Sequence, residues 1–231
     1  MSKAYAEARM DHTPSSKPRK ALKAPSRPLA ILTNHITNTR KTLTLSPQGD
    51  AQSVSAYKIT DEDGTALFTA SGCKYTNRSC REFRDASGLP LFELHKKISL
   101  RNAWSVTLPG SDTADIATAA LRLGFGGVGF GNFNVSFVNV AAVDVKSDEE
   151  RRATLEIERH GRVLESFDVV DGDRRVAEVR ESIQHNKKLA LMSSSRRGYR
   201  PALDVTVMEG VDLSLVALIA IIASDSVFGS E

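Results

Sequence analysis

From Leu29 onward, apolar and β-branched residues recur with a period of two in short runs, and turn-forming residues interrupt these runs about every ten positions. This rhythm predicts an all-β domain, because strand side chains alternate between two faces whereas helical faces repeat every 3.6 residues. The runs place strands at residues 54–60, 66–70, 81–84, 89–96, 103–108, 116–123, 133–140, 154–159, 162–169, 175–183 and 202–208, with two more at 30–33 and 41–45. His160-Gly161 and Asp171-Gly172 suit two-residue hairpins, so consecutive strands should pair antiparallel.

A short internal echo supports this reading. Asp61, Gly64, Leu67 and Phe68 reappear with the same spacing as Asp85, Gly88, Leu91 and Phe92. In the shared unit D-x-x-G-x-x-L-F, the Asp and Gly build a turn and the Leu-Phe pair begins the returning strand. A calcium loop would carry its Gly five places after the first ligand, so Gly64, three places after Asp61, excludes that chemistry.

The pattern changes once, after Gly210. From Leu213 to Ala223 every position except Ser214 is apolar, and a helix apolar all round must be buried all round. Asp212 is placed to cap its start, and Ser224 with Asp225 restores polarity at its far end. About 12 helical residues span roughly 18 Å, too short for the ~30 Å core of a bilayer but matched to a strand of five or six residues. The predicted fold is therefore all-β with one central helix, a closed antiparallel barrel of more than ten strands enclosing a hydrophobic C-terminal α-helix.

Composition adds boundaries to this picture. The chain of 231 residues is 41% hydrophobic and 26% charged, which fits one globular domain with a tail and excludes full disorder. Residues 1–28 hold four of the eight prolines, and Lys3, Arg9, Lys17, Arg19, Lys20, Lys23 and Arg27 stand there against only Glu7 and Asp11. That segment is expected to be a disordered basic tail, and residues 29–231 the barrel domain. No apolar leader follows the first charges, so a cytoplasmic location is expected, with residues 17–27 readable as a nuclear address or a membrane-attracted arm.

Motifs for catalysis, metal or cofactor do not hold up. The run Gly124-Phe125-Gly126-Gly127-Val128-Gly129 with Asp144 imitates a dinucleotide fingerprint, but 133–140 alternates as a strand where that motif needs a helix. Cys73 and Cys80, with His95 the nearest of five scattered histidines, give no zinc spacing and no nucleophile with a base. No catalytic residue, metal or cofactor is expected, and the chain is not read as an enzyme. The anion-site candidates are Lys187, Lys188, Arg196, Arg197 and Arg200, a stretch with no acid and with Leu189, Ala190, Leu191 and Met192 between its basic pairs. Such a segment suits a loop that meets anionic lipid with its cations while apolar side chains enter the interface.

Taken in order, the D-x-x-G turn before Phe68, Asp85-Ala86-Ser87-Gly88-Leu89-Pro90-Leu91, Trp104 in Asn102-Ala103-Trp104-Ser105-Val106, Val176-Ala177-Glu178-Val179, and Gly210-Val211-Asp212 before the apolar helix resemble the LURP-one-related family. That family is grouped with tubby C-terminal domains and phospholipid scramblases, and the resemblance covers roughly residues 40–228. It implies a closed barrel of about twelve strands around a hydrophobic helix. It also implies a comparison with tubby-type headgroup binding, which uses a Lys-Leu-Arg step that falls here at Ala120-Leu121-Arg122. The lysine is absent, and Arg122 alone makes a weaker phosphate site than a paired cluster. The leading expectation is a non-enzymatic intracellular binding or tethering module for anionic phospholipid or phosphoinositide at a membrane surface. The alternatives are a protein-interaction or regulatory module, stress or defence related, without lipid affinity, and an enzyme whose site assembles from distant residues. Nucleic acid is not expected, because the basic residues lack interleaved aromatics for base stacking.

Overall fold

The computed structural model of the chain describes residues 19–49, 56–72, 80–97, 103–111, 114–122, 132–145, 147–160, 165–186 and 200–228. Within them the alternating runs form twelve strands: β1 (Lys41–Gln48), β2 (Ala56–Thr60), β3 (Ala66–Gly72), β4 (Cys80–Asp85), β5 (Pro90–Lys97), β6 (Ala103–Thr107), β7 (Asp115–Leu121), β8 (Phe133–Val138), β9 (Arg152–His160), β10 (Ser166–Asp171), β11 (Arg174–Glu181) and β12 (Leu203–Val207). Each strand pairs with its sequence neighbour and β1 closes on β12, giving an antiparallel barrel with no open edge. A single helical turn, α1 (Asp148–Arg151), precedes β9, and the terminal helix α2 (Leu213–Phe228) is threaded through the barrel.

The period-two pattern fixes which face is inside. Inward residues meet across strands as Leu45 with Ile59, Phe83 with Phe92, Val135 with Leu155, and Val179 with Val205. The Phe83 and Phe92 rings stack with centroids 4.5 Å apart. Inside this wall every residue of α2 from Ser214 to Ser224 is buried, as a helix without a polar face requires. The helix runs one turn further than its apolar stretch, because Asp225 is neutralised at the barrel mouth by Arg81 and Arg200.

At the rim where α2 begins, the Asp212 carboxylate does more than cap. One oxygen accepts from the N–H of Ser214 at 2.8 Å, from that of Leu215 at 3.4 Å and from the Ser214 hydroxyl at 2.7 Å. The other accepts from the N–H of Ile31 and Leu32 at 3.1 and 2.8 Å. This explains why residues 30–33, expected as a strand, are not one. Their backbone donors are spent on Asp212 and, through Ala30, on the buried Asn139 side chain, and β1 already closes the sheet.

The echoed turns are built alike. Asp61 Oδ1 accepts from the N–H of Asp63 and Thr65, and Asp85 Oδ1 accepts from the N–H of Ser87 and Leu89, while Gly64 and Gly88 sit at φ of 80° and 87°. Open space surrounds both glycines, so an added methyl meets no atom and the conformation alone sets its cost. Gly64→Ala and Gly88→Ala should each lower stability by about 1 kcal/mol, measured by urea unfolding.

Residues 19–28, expected to belong to the disordered tail, follow a defined path over the outer wall. Arg175 donates its backbone N–H to Ala21 O at 3.1 Å and accepts from the N–H of Lys23 at 2.9 Å. The Arg19 guanidinium pairs with Asp168 and lies 2.9 Å from Glu178. The sequence pattern hides this because the partners are acids of β10 and β11, not apolar residues.

Candidate functional site

The strand register sorts every connection to one of two rims. At the rim where α2 begins, the connecting segments are 61–65, 86–89, 108–114, 139–151, 172–173 and 208–212. They carry Asp61, Glu62, Asp63, Asp112, Asp144, Asp148, Glu149, Glu150, Asp173, Glu209 and Asp212 against Lys146 and Arg151, while the segment before β1, which crosses the same rim, adds Arg27 and Arg40. At the rim where α2 ends, the segments are 49–55, 73–79, 98–102, 122–132, 161–165 and 182–202. In sequence these carry Lys74, Arg78, Arg101, Arg122, Arg162, Lys187, Lys188, Arg196, Arg197 and Arg200 against only Asp50 and Glu165. In sequence, the segments that join strands at the end of α2 are therefore mostly basic and those that join strands at its start mostly acidic, although the body is nearly neutral along the chain.

Of the six residues expected to form an anion site, Lys187, Lys188, Arg196 and Arg197 lie outside the described residues. Arg200 and Arg122 are described and both stand at the basic rim. Arg122 donates to Glu156 at 3.0 Å on the surface of β9. Arg200 is only 13% exposed and lies 3.4 Å from Asp225. It helps to hold the end of α2. Arg81 joins it there, its guanidinium paired with Asp225 and 5.7 Å from the centre of the Tyr57 ring, whose hydroxyl meets Ser224 Oγ at 3.1 Å. Burial works against the Arg81 charge, but the Asp225 carboxylate outweighs it and raises its pKa, so the group stays charged. Burial also pushes the Tyr57 phenol up, keeping it neutral. Cations at this place suit the partial negative charge of a helix C-terminus.

One described Ser–His–Asp grouping does not have the geometry of a proton relay. Ser182, His185 and Asp204 come together, but the Ser182 hydroxyl at 2.9 Å and the Asp204 carboxylate at 4.0 Å both face Nδ1 of the same ring. A proton relay needs them at opposite nitrogens, and Ser182 also accepts from the His185 backbone N–H, as in an ordinary hydroxyl turn. The G-x-G-x-x-G run lies outside the described residues, and β8 follows it where a dinucleotide site would have a helix. A cleft of about 450 Å³ opens at the acidic rim, between Asn34, His35, Phe68, Ser87 and Leu213. Its one carboxylate, Asp85, is occupied by its own turn.

What the sequence missed is the grouping itself. Lys74, Arg78, Arg101 and Arg162 lie outside the described residues, in three separate segments that join strands whose ends meet at the rim where α2 ends. Among the described residues no helix is long and apolar enough to cross a membrane.

Comparisons with known proteins agree with this architecture. The model of the LURP-one-related family matches residues 41–224. An X-ray structure of an Arabidopsis thaliana protein, AT5G01750, aligns with a TM-score of 0.51 at 17% identity, over 83% of this chain and 94% of that one. Its low identity makes it a statement about fold alone. No match was found among curated proteins. A family match spanning β1 to the middle of α2, on a closed twelve-stranded barrel around that helix, establishes that the chain belongs to the LURP-one-related family and with it to the tubby-like superfamily.

Proposed function

We propose that the protein is a non-enzymatic binding module that docks its basic rim on an anionic phospholipid surface. The observation that carries this reading is the strand order, which gathers at the end of the barrel where α2 ends the connecting segments whose sequences are rich in Lys and Arg. A surface at about −30 mV attracts the basic rim and repels the acidic one, so one orientation is selected before any specific contact forms. Leu189, Ala190, Leu191 and Met192, between the two basic pairs of the 182–202 segment, supply apolar side chains that can enter the interface. Phosphoinositide selectivity of the tubby type has less support, since Ala120 stands where that pattern has lysine and Arg122 is engaged with Glu156.

Each cation near an anionic membrane contributes about 1 kcal/mol, so Lys187→Ala, Lys188→Ala, Arg196→Ala and Arg197→Ala together should remove roughly 4 kcal/mol. That is almost three powers of ten in vesicle affinity. Co-sedimentation with phosphatidylserine-containing vesicles measures it, and the binding should weaken with salt because the Debye length is near 10 Å. The basic tail needs its own control. Removing all of residues 1–28 would strip Arg19 from Asp168, so the control neutralises Lys3, Arg9 and Lys17 to Gln in the full chain. Equal binding by the fourfold variant and its parent, both with the neutral tail, would refute the lipid reading and leave a protein-interaction module in front.

A further inference from the structure

Outside the rims, one cluster combines a thiol, an imidazole and a carboxylate. Strands β4 and β5 are in register so that Cys80 lies directly opposite His95, and Glu93 lies two residues before His95 on the same face. One ligand atom from each of the three side chains lies within 4.8 Å of the other two. Cys80 is buried, and Glu93 and His95 are partly buried on the outer wall. We propose that Cys80, Glu93 and His95 bind a divalent transition-metal ion of the zinc class.

The donor set fits that ion. Zinc accepts thiolate, imidazole and carboxylate ligands at about 2.0–2.3 Å, so neighbouring ligand atoms in a tetrahedral site stand roughly 3.5 Å apart. Glu93 Oε2 and His95 Nε2 are already 3.3 Å apart, and no two of the three ligand atoms are more than 4.8 Å apart. Three protein ligands leave the fourth position open to water, which distinguishes this arrangement from a fully closed structural site. The Thr107 hydroxyl on β6 lies 3.2 Å from the same His95 Nε2 and must yield that nitrogen when the ion binds.

Charge gives an independent reason for a cation here. Glu82 stands directly across from Glu93 in the β4–β5 ladder, and two like charges in opposed positions repel. Glu82 is balanced by Arg84, whose Nη2 donates to it at 2.8 Å. Among the described residues Glu93 has the His95 ring as its neighbour and no permanent cation, so a metal ion between Glu93, His95 and Cys80 removes the imbalance. The linear spacing of Cys73, Cys80 and His95 concealed the site, because the ligands are set by cross-strand register and not by a short motif.

The test uses the full chain without an affinity tag, reduced with a phosphine and stripped with EDTA, then titrated with Co²⁺ and, in competition with a chromogenic chelator, with Zn²⁺. One equivalent of Co²⁺ should produce thiolate-to-cobalt charge-transfer absorption in the near ultraviolet. Cys80→Ser should abolish that absorption, and Cys73→Ser should leave it intact. Outer-shell losses typically cost 10–100-fold in metal affinity, so His95→Gln, which removes a ligand, should weaken Zn²⁺ binding by more than about 100-fold. Glu93→Gln, on a partly exposed side chain that leaves the core untouched, should weaken it as well, which keeps the test valid if a Cys80 variant fails to fold. The absence of one-equivalent binding, absorption that depends on Cys73 instead of Cys80, or Zn²⁺ affinity unchanged by His95→Gln and Glu93→Gln would each overturn the assignment.

Discussion

Ile219→Lys should yield no folded, soluble protein. Ile219 sits midway along α2 with no solvent exposure, and its neighbours from Leu215 to Ala223 are equally enclosed. The wall around the helix is aliphatic and aromatic, so the ammonium would find no partner, and burying it costs several kcal/mol, comparable with the whole stability of a domain. The milder Ile219→Ala removes packing without adding charge and should cost about 2–5 kcal/mol in urea unfolding. A soluble Ile219→Lys variant with unchanged unfolding would mean that the helix is not enclosed.

The second large effect is expected where the basic segment meets the barrel. The Asp168 side chain is 2% exposed and receives Arg19 Nε at 2.9 Å and Arg175 Nη1 at 3.1 Å, with His160 Nε2 also 3.1 Å away. Burial opposes the carboxylate charge, but the hydrogen bonds from Arg19 and Arg175 and their charges outweigh it, so its pKa is lowered. Asp168→Ala would leave the Arg175 charge, 15% exposed, with only Glu178 at 3.6 Å. Breaking such a pair costs about 3 kcal/mol, the lower part of the range for buried pairs, because Arg19 is 40% exposed and partly screened. The same change should release residues 19–23 and open Lys20 and Lys23 to trypsin. The pH dependence follows from the lowered pKa. The advantage of the parent over Asp168→Asn should be complete above the ordinary aspartate range, near pH 4, and should disappear as pH falls through the lowered value. An advantage that grows on acidification would contradict this pairing.

These two regions were not equally legible in the sequence. Leu213 to Ala223 could be placed inside a barrel because an all-apolar helix has only one place to go in a chain whose remaining periodicity is two. The Asp61 and Asp85 turns were legible because Asx chemistry and a left-handed glycine act within five residues. The Arg19 contact was not, since 149 residues separate it from Asp168 and Arg19 belongs to no periodic pattern. Arg200 illustrates the same limit from the other side. As a cation near four others it looked like a ligand for anions, yet Asp225, which carries it, lies at the end of a helix that only the closed barrel brings alongside. The polarity of the rims is likewise a property of topology, because each antiparallel return sends alternate connections to opposite ends.

The claim that the basic rim is the binding face is tested most directly by hydrogen–deuterium exchange of the full chain with and without phosphatidylserine-containing vesicles. Added vesicles should slow exchange in peptides covering residues 122–132 and 182–202, at the rim where α2 ends, and should leave residues 61–65 and 139–151 at the acidic rim unchanged. Protection confined to the acidic rim or to residues 1–28, or no protection under conditions in which the protein sediments with the vesicles, would contradict it.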